Sequence, residues 1–115
     1  MPRSAAAYLS DIVDACDAVT DTLAGIDLAS YESTRAVRSA VERELTIIGE
    51  AVNSLLRLEP GLSDRISHAR KIVGFRNLLV HDYAAIIDAT VWAIAKNDAP
   101  VLRDECAALI EEPTD

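Results

Sequence analysis

The stretch that decides the fold is Thr34–Leu58, which reads TRAVRSAVERELTIIGEAVNSLLRL. Its apolar residues recur at the three- and four-residue spacing of one face of an α-helix. The main line consists of Val37, Val41, Leu45, Ile48, Val52 and Leu55, and a second line beside it of Ala40, Ile47, Ala51 and Leu58. So broad an apolar face predicts the central helix of a bundle, or a helix that also contacts a second subunit.

The segment before this stretch predicts a first helix and a short connection. Ser4 is a candidate N-cap, and an apolar residue then recurs every three to four positions from Tyr8 to Ile26. Gly25 is a plausible end of this helix because glycine accepts the left-handed conformation at a helix terminus. Residues 27–33 contain several candidate caps, so we expect a turn or one helical turn there.

The segment after the central stretch predicts two further helices. A turn at 60–61 precedes one helix over 68–80, and a last helix covers 88–110, in which Pro100 predicts a kink or a break. No alternation typical of a strand is present. The 115 residues therefore predict one all-α domain, an antiparallel up-and-down bundle of four to five helices with a frayed tail at 111–115.

Composition excludes several classes of protein. Hydrophobic residues make up 50% of the chain and charged residues 26%, which excludes a disordered protein. The apolar runs are too short to span a bilayer and no signal peptide opens the chain, so we expect a cytoplasmic location. Cys16 and Cys106 have no partners at the spacing of a zinc site and read as reduced core thiols. A net charge of −8 disfavours non-specific nucleic-acid binding, so any positive field has to be local or built with a partner.

Two adjacent residues of the central helix stand out. Gly49 lowers helix stability by about 1 kcal/mol relative to alanine, which predicts that another part of the molecule approaches closely there. Glu50 lies on a polar line of the same helix. It is either a solvated edge residue or one half of an ion pair that faces a functional stretch or a dimer partner.

That functional stretch is 74–83, GFRNLLVHDY, which gathers four polar side chains around an apolar triplet. On an ideal helix Asn77 and His81 lie one turn apart, so Asn77 could orient the imidazole, whereas Arg76 and His81 lie about 140° apart. Arg76 and His81 converge only if the helix loosens near His81, or if two copies meet across a symmetry axis. With Tyr83 they form either a phosphate site or a helix end whose polar groups satisfy one another.

The chemistry open to such a site is transesterification of an RNA phosphodiester. Histidine can take the proton of the 2′-hydroxyl or give one to the departing 5′-oxygen near neutral pH. Arginine can hold the phosphate and stabilise the charge that develops on it. This chemistry needs no metal or cofactor, and the sequence contains no metal-ligand cluster, glycine-rich phosphate loop or hydrolase elbow. In the structural alternative Arg76 pairs with Glu50, and His81 caps the helix.

The segment 76–83 resembles the Arg-x4-His-x-Tyr motif of HepT-like toxins, which belong to the HEPN superfamily. The segment 40–51 is similar to the second helix of that family, and Trp92 together with 97–102 is similar to its last helix. The resemblance covers about residues 5–105. The combined pattern is specific, whereas the arginine–histidine spacing alone is not.

The resemblance implies a homodimeric helical bundle that acts as a metal-independent endoribonuclease. Such a protein is the toxin of a prokaryotic toxin–antitoxin pair of type II or VII. Arg76 and His81 match the catalytic positions of the motif, and Asn77 is the polar residue beside the arginine. Tyr83 matches the tyrosine that the cognate antitoxin, a nucleotidyltransferase of the MntA type, modifies with AMP. The implied partners are therefore a second copy, the antitoxin and RNA, with no membrane.

The chain departs from the family pattern at two places. The tryptophan that often precedes the motif is absent from 66–69, and Asp82 replaces a frequent glycine between His81 and Tyr83. The Asp82 carboxylate could orient His81 and raise its pKa, or repel the substrate. The alternative function is a non-catalytic helical module that docks a nucleotidyltransferase, which the acidic net charge favours.

Overall fold

The computed structural model describes residues 3–112, and these form the predicted antiparallel up-and-down bundle of α-helices. The first helix, α1, spans Ala5–Leu23, and its N-cap is the predicted Ser4, whose Oγ accepts a hydrogen bond from the Ala7 N–H at 3.2 Å. Gly25 follows the helix with φ +72°, a conformation that side chains with a Cβ rarely adopt. The predicted cap and stop are both confirmed.

A short helix connects α1 to the central helix. It is α2, Leu28–Ser33, and its N-cap Asp27 accepts a hydrogen bond from the Ser30 N–H at 2.8 Å. Tyr31 within α2 is completely buried, which the sequence pattern did not indicate. The central helix, α3, spans Arg35–Leu58, and it packs against α1 on one side and against α4 on the other.

The motif-bearing helix, α4, spans Ala69–His81. It is preceded by a 3₁₀ turn at Pro60–Asp64 and followed by a second one at Tyr83–Ala85. Ala69, Ile72 and Leu79 are its buried residues, and they face α3 and the rest of the core. One face of α4 is thus anchored and the opposite face is open.

The last helix does not break at Pro100. It begins as α5, Asp88–Ala93, passes through a π-helical turn at Ile94–Asp98, and continues as α6, Ala99–Glu111. In the π turn the Ala99 N–H donates to the Ile94 carbonyl. This wider turn absorbs the missing N–H of the proline while the backbone stays right-handed helical. With α5 and α6 counted as one rod, residues 3–112 contain five helices, within the predicted range.

The carboxyl end of α1 is tied to this rod. The Leu23 carbonyl accepts a hydrogen bond from Lys96 Nζ at 3.1 Å, and the Ile26 carbonyl accepts one from Trp92 Nε1 at 3.4 Å. A cation at a helix carboxyl end is favourable because carbonyl dipoles accumulate there.

The core is a single cluster that runs between α1, α3 and the last rod. Cys16 and Cys106 belong to it as free thiols, and burial raises the pKa of both to about 12, so they stay neutral. At the end of the rod, Glu112 pairs with Arg65 at 2.8 Å, and the last part of the predicted tail, 113–115, lies outside the described residues. No helix within residues 3–112 is long and apolar enough to cross a membrane.

Candidate functional site

The contact that positions the candidate site is the approach of α4 to α3 at Gly49. A Cβ on Gly49 would overlap the Cβ of Arg76, and it would lie 2.7 Å from the Arg76 Cγ and 3.3 Å from the Ile72 carbonyl oxygen. Only a residue without a side chain lets the two helices come so close. The predicted close approach is confirmed, and the group that makes it is the motif arginine itself.

The Arg76 side chain is held by two acceptors. Nη2 donates to Glu50 Oε1 at 3.0 Å, and Nη1 donates to Asn77 Oδ1 at 2.9 Å. The side chain is 24% exposed, and its Nε is buried with no hydrogen-bond partner among residues 3–112. Glu50 therefore forms the predicted ion pair, although its side chain stays 54% exposed. The structural alternative predicted the same pair for Arg76.

This arrangement leaves part of the guanidinium free for a ligand. Each terminal nitrogen of an arginine carries two N–H groups, and each of them uses one here. The remaining two donors are available to the oxygens of an anion such as a phosphate. The Arg76 guanidinium is thus held in one orientation while two of its N–H donors can still bind a ligand.

His81 occupies a different environment. It is the last residue of α4 and it is exposed, and the helix stays regular to its end, where the Asp82 N–H donates to the Leu78 carbonyl at 2.9 Å. The loosening that could turn His81 towards Arg76 does not occur. Within residues 3–112 no hydrogen bond or ion pair involves the imidazole, and the amide oxygen of Asn77 accepts from Arg76 instead.

The residues after His81 are exposed as well. Asp82 is the C-cap of α4, with an extended φ of −142°, and no ion pair involves its carboxylate within the described part of the chain. Tyr83 opens the following 3₁₀ turn and is 67% exposed. Val80 in the last turn of α4 and Ile87, the N-cap of α5, are exposed apolar residues on either side of Tyr83 in the sequence. We call Val80, Tyr83 and Ile87 the apolar end patch.

Sequence reasoning missed one group beside Tyr83. Burial raises the pKa of the Glu42 carboxyl on α3, while the nearby Tyr83 hydroxyl acts in the opposite direction. Asp88 raises this pKa further, and Arg38 lowers it. Tyr83 therefore stands next to a carboxyl group that is less acidic than usual, at the edge of the bundle. No local spacing links these residues, so only the folded chain reveals the contact.

The other flank of α4 carries a second missed pair. Lys71 Nζ lies 2.6 Å from Oδ2 of Asp98, a residue of the π turn that is 7% exposed, and His68 Nε2 lies 3.9 Å from its other oxygen. The signal was present in the sequence, because position 98 continues the inner line of Ile94 and Leu102. The pair ties α4 to the last rod, as Arg76 and Glu50 tie it to α3.

Comparison with known proteins assigns the chain to a family. Residues 12–109 match the family described as Ribonuclease HepT-like. A Methanocaldococcus jannaschii protein provisionally named RNase MJ1380 is 32% identical over 108 residues, which cover 90% of this chain and 94% of the relative. A second protein of that organism, provisionally named RNase MJ0125, is 28% identical over 96% of this chain and 94% of its own length.

A third relative adds the family name. A Thermococcus cleftensis protein, provisionally named ribonuclease HepT, is 30% identical over 90% of this chain and 93% of its own length. No solved structure matches the chain significantly. The family match spans the helices that build the Arg76–Glu50 pair and carry His81, and the chain belongs to the HepT-like family of ribonucleases.

Proposed function

We propose that this ribonuclease is the toxin of a prokaryotic toxin–antitoxin pair, and that it cuts RNA internally without a metal, using Arg76 and His81. The observation that carries the proposal is the Arg76 guanidinium, held by Glu50 and Asn77 with two N–H donors left over. A fixed and partly free guanidinium is suited to a phosphate whose charge grows during reaction.

The reaction is an internal transesterification. The 2′-oxygen attacks phosphorus, the bond from phosphorus to the 5′-oxygen breaks, and the products are a 2′,3′-cyclic phosphate and a 5′-hydroxyl. The His81 imidazole accepts the proton of the 2′-hydroxyl, and the imidazolium so formed gives this proton to the departing 5′-oxygen. Arg76 stabilises the added charge on the non-bridging oxygens. Protons balance, and no other reagent is consumed.

The separation of Arg76 from His81 supports a dimeric site. Arg76 is turned towards α3 by its bond to Glu50, while His81 is exposed at the end of a regular α4. We propose that two protomers meet at this end, so that Arg76 of each protomer faces His81 of the other in one groove.

The exposed position of Tyr83 supports control of RNA cleavage by covalent modification. Its exposed ring stands two residues from His81, where an antitoxin of the nucleotidyltransferase class can reach it. Transfer of AMP to its hydroxyl would add bulk and a negative charge beside the groove, and a second phosphate would be repelled. We propose Tyr83 as the residue that this partner modifies.

The catalytic part of the proposal is tested by cleavage of a labelled RNA in the presence of EDTA. The wild type should cut, Arg76→Ala should lose about 10²–10³-fold, and His81→Ala about 10²–10⁴-fold. All variants should keep the helical circular dichroism. His68→Ala is the matched control, because it removes the other histidine of the chain and should cut normally. Equal cleavage by all variants would show that the site is elsewhere.

The regulatory part is tested by co-expression with a nucleotidyltransferase of the MntA type. Intact mass should increase by AMP groups, peptide mapping should place one on Tyr83, and cleavage should fall. Tyr83→Phe should remain unmodified and active in the same cells. Inhibition that persists with Tyr83→Phe would reject this residue as the switch.

A second candidate function rests on the apolar end patch. Tyr83 and Ile87 are 67% and 64% exposed, respectively, and together with a net charge of −8 they would suit a module that docks a nucleotidyltransferase without cutting RNA. This alternative predicts a stable complex with the partner and no cleavage at any protein concentration.

A further inference from the structure

The open face of α4 carries one continuous polar stripe. Arg70, Gly74, Asn77 and His81 are all exposed, and at 100° per residue they lie within about 60° of one another around the helix axis. The buried residues of α4 lie on the opposite side. We call these four residues the α4 stripe. At 1.5 Å per residue it extends about 16 Å, from Arg70 to His81.

Gly74 at the centre of the stripe is not explained by any contact within residues 3–112. A glycine within a helix is less stable than an alanine, so it is retained where something must come close. For Gly49 that object is Arg76, but a Cβ on Gly74 would meet nothing within 4 Å. Because residues 3–112 leave this space open, an approach by another molecule would account for Gly74.

The distribution of charge around α4 indicates which kind of molecule contacts the stripe. Residues 65–81 contain four of the 11 basic residues of the chain and none of its 19 acidic ones, so the other residues carry a net charge of −12. Within the described residues, three of the four cations pair with acids of other elements: Arg65 with Glu112, Lys71 with Asp98, and Arg76 with Glu50.

The fourth cation, Arg70, is exposed and has no ion pair or hydrogen bond to any residue of 3–112. A cavity of about 490 Å³, whose charged lining residues are Asp64, Arg70 and Lys71, lies at this end of the stripe. The uncompensated positive charge of this segment thus falls on the stripe, at the end away from His81.

We propose that the α4 stripe binds the backbone of single-stranded RNA next to the phosphate that is cut. Arg70 holds a phosphate of a flanking nucleotide, Gly74 lets the strand lie against the helix backbone, and Asn77 and His81 mark the reacting end. The proposal rests on the proposed ribonuclease site and names how its substrate lies. Away from the proposed dimer groove at His81, a second copy of the chain suits the Arg70–Gly74 part of the stripe less well. The centres of protein interfaces are depleted of charge, and the exposed apolar residue of α4, Val80, lies outside the stripe.

The test measures binding separately from cleavage. A fluorescein-labelled RNA oligonucleotide with 2′-O-methyl groups at every position cannot react, and its affinity is measured by anisotropy over a range of salt concentrations. Arg70→Ala should weaken binding several-fold and reduce the slope of log K against log salt by about 0.7 for each phosphate that the protein no longer neutralises. Gly74→Glu should weaken binding at least tenfold, because it places bulk and negative charge in the path of the strand.

Two matched controls separate the stripe from general charge effects. Arg35→Ala removes an exposed arginine on α3 that also lacks an ion pair within the described residues, and Ser10→Glu adds a carboxylate to an exposed position of α1. Both controls should bind like the wild type. Circular dichroism confirms that each variant is folded.

Each outcome bears on the proposal. If Arg70→Ala and Gly74→Glu bind like the controls, or if the wild type does not bind the oligonucleotide, the stripe is not an RNA site. If Gly74→Glu instead dissociates a dimer in light scattering while Arg70→Ala keeps the wild-type affinity and salt slope, the stripe is a protein contact. Cleavage of ordinary RNA that is unaffected by either variant would leave the proposed function standing and reject this inference alone. If the stripe variants weaken RNA binding but the wild type cuts no RNA, this inference stands and the proposed function is rejected.

Discussion

The two sides of α4 are built in different ways. On the side that faces α3, Arg76 sits against Gly49 and is bonded to Glu50 and Asn77, so its position is fixed within one chain. On the outer side and at the carboxyl end, His81 and Tyr83 are exposed. Under the proposed function, one protomer therefore completes the phosphate-holding half of the site and leaves the proton-transferring half open to a second molecule.

The two glycines inside helices show the same division. Gly49 is a buried residue of α3 and is explained by its contact with Arg76 of α4. Gly74 lies on the exposed face of α4, where residues 3–112 leave the space beside it open. Substitution by alanine should therefore have effects of opposite sign at the two positions.

The largest expected effect is that of Gly49→Ala. The new Cβ would overlap the Arg76 Cβ and lie 2.7 Å from its Cγ, so α4 has to move away from α3. Overpacking of this kind lowers the free energy of unfolding by about 1–3 kcal/mol. We expect a lower midpoint of urea unfolding and nearly complete loss of RNA cleavage. A stable and active variant would mean that Arg76 is not positioned by this contact.

An intermediate effect is expected for Glu50→Gln, which keeps the shape of the side chain and removes its charge. Glu50 is 54% exposed, so the ion pair contributes less than about 1 kcal/mol to the free energy of unfolding. Its role in orienting Arg76 should appear in catalysis, as a kcat reduced by about tenfold (about 1.4 kcal/mol) with a nearly unchanged KM. Faster cleavage would instead mean that Glu50 competes with the phosphate for the arginine.

The smallest effect is expected for Gly74→Ala. On an exposed helix face with free space for the methyl group, alanine should raise the free energy of unfolding by about 0.5–1 kcal/mol. Urea unfolding of the protein without RNA measures it. A destabilised variant would indicate that a protein surface, such as a second copy, already covers this position.

The helices and the Arg76–Glu50 ion pair were predictable because their causes are either local in the sequence or visible in the spacing of residues. The apolar lines of α3 and the cap at Ser4 predict α3 and α1 directly. Gly49 indicates a close contact because a glycine lowers the stability of its helix unless another group packs against it. Lys71 with Asp98 was missed, although Asp98 lies on an apolar line, because its partner is distant in the sequence.

Other features depended on the assembled chain. Pro100 indicated a kink or a break, and the π turn just before it keeps the rod continuous. Asn77 and His81 share a helix face, yet the charged guanidinium of Arg76 takes the amide oxygen of Asn77. A charge-assisted hydrogen bond is stronger than a neutral one, and sequence spacing does not reveal this competition.

The central claim is that Arg76 of one protomer works with His81 of the other. Arg76→Ala and His81→Ala, each inactive alone, are mixed under conditions that exchange subunits, and RNA cleavage is measured. The matched control mixes the wild type with the double variant. The account predicts that the first mixture regains up to about one quarter of wild-type activity, because half of the dimers carry one intact site of two. In the control, the mixed dimers should be inactive. The account would be contradicted if the first mixture stayed inactive while the dimers of wild type with double variant cut RNA. That result would place Arg76 and His81 of one site in the same protomer.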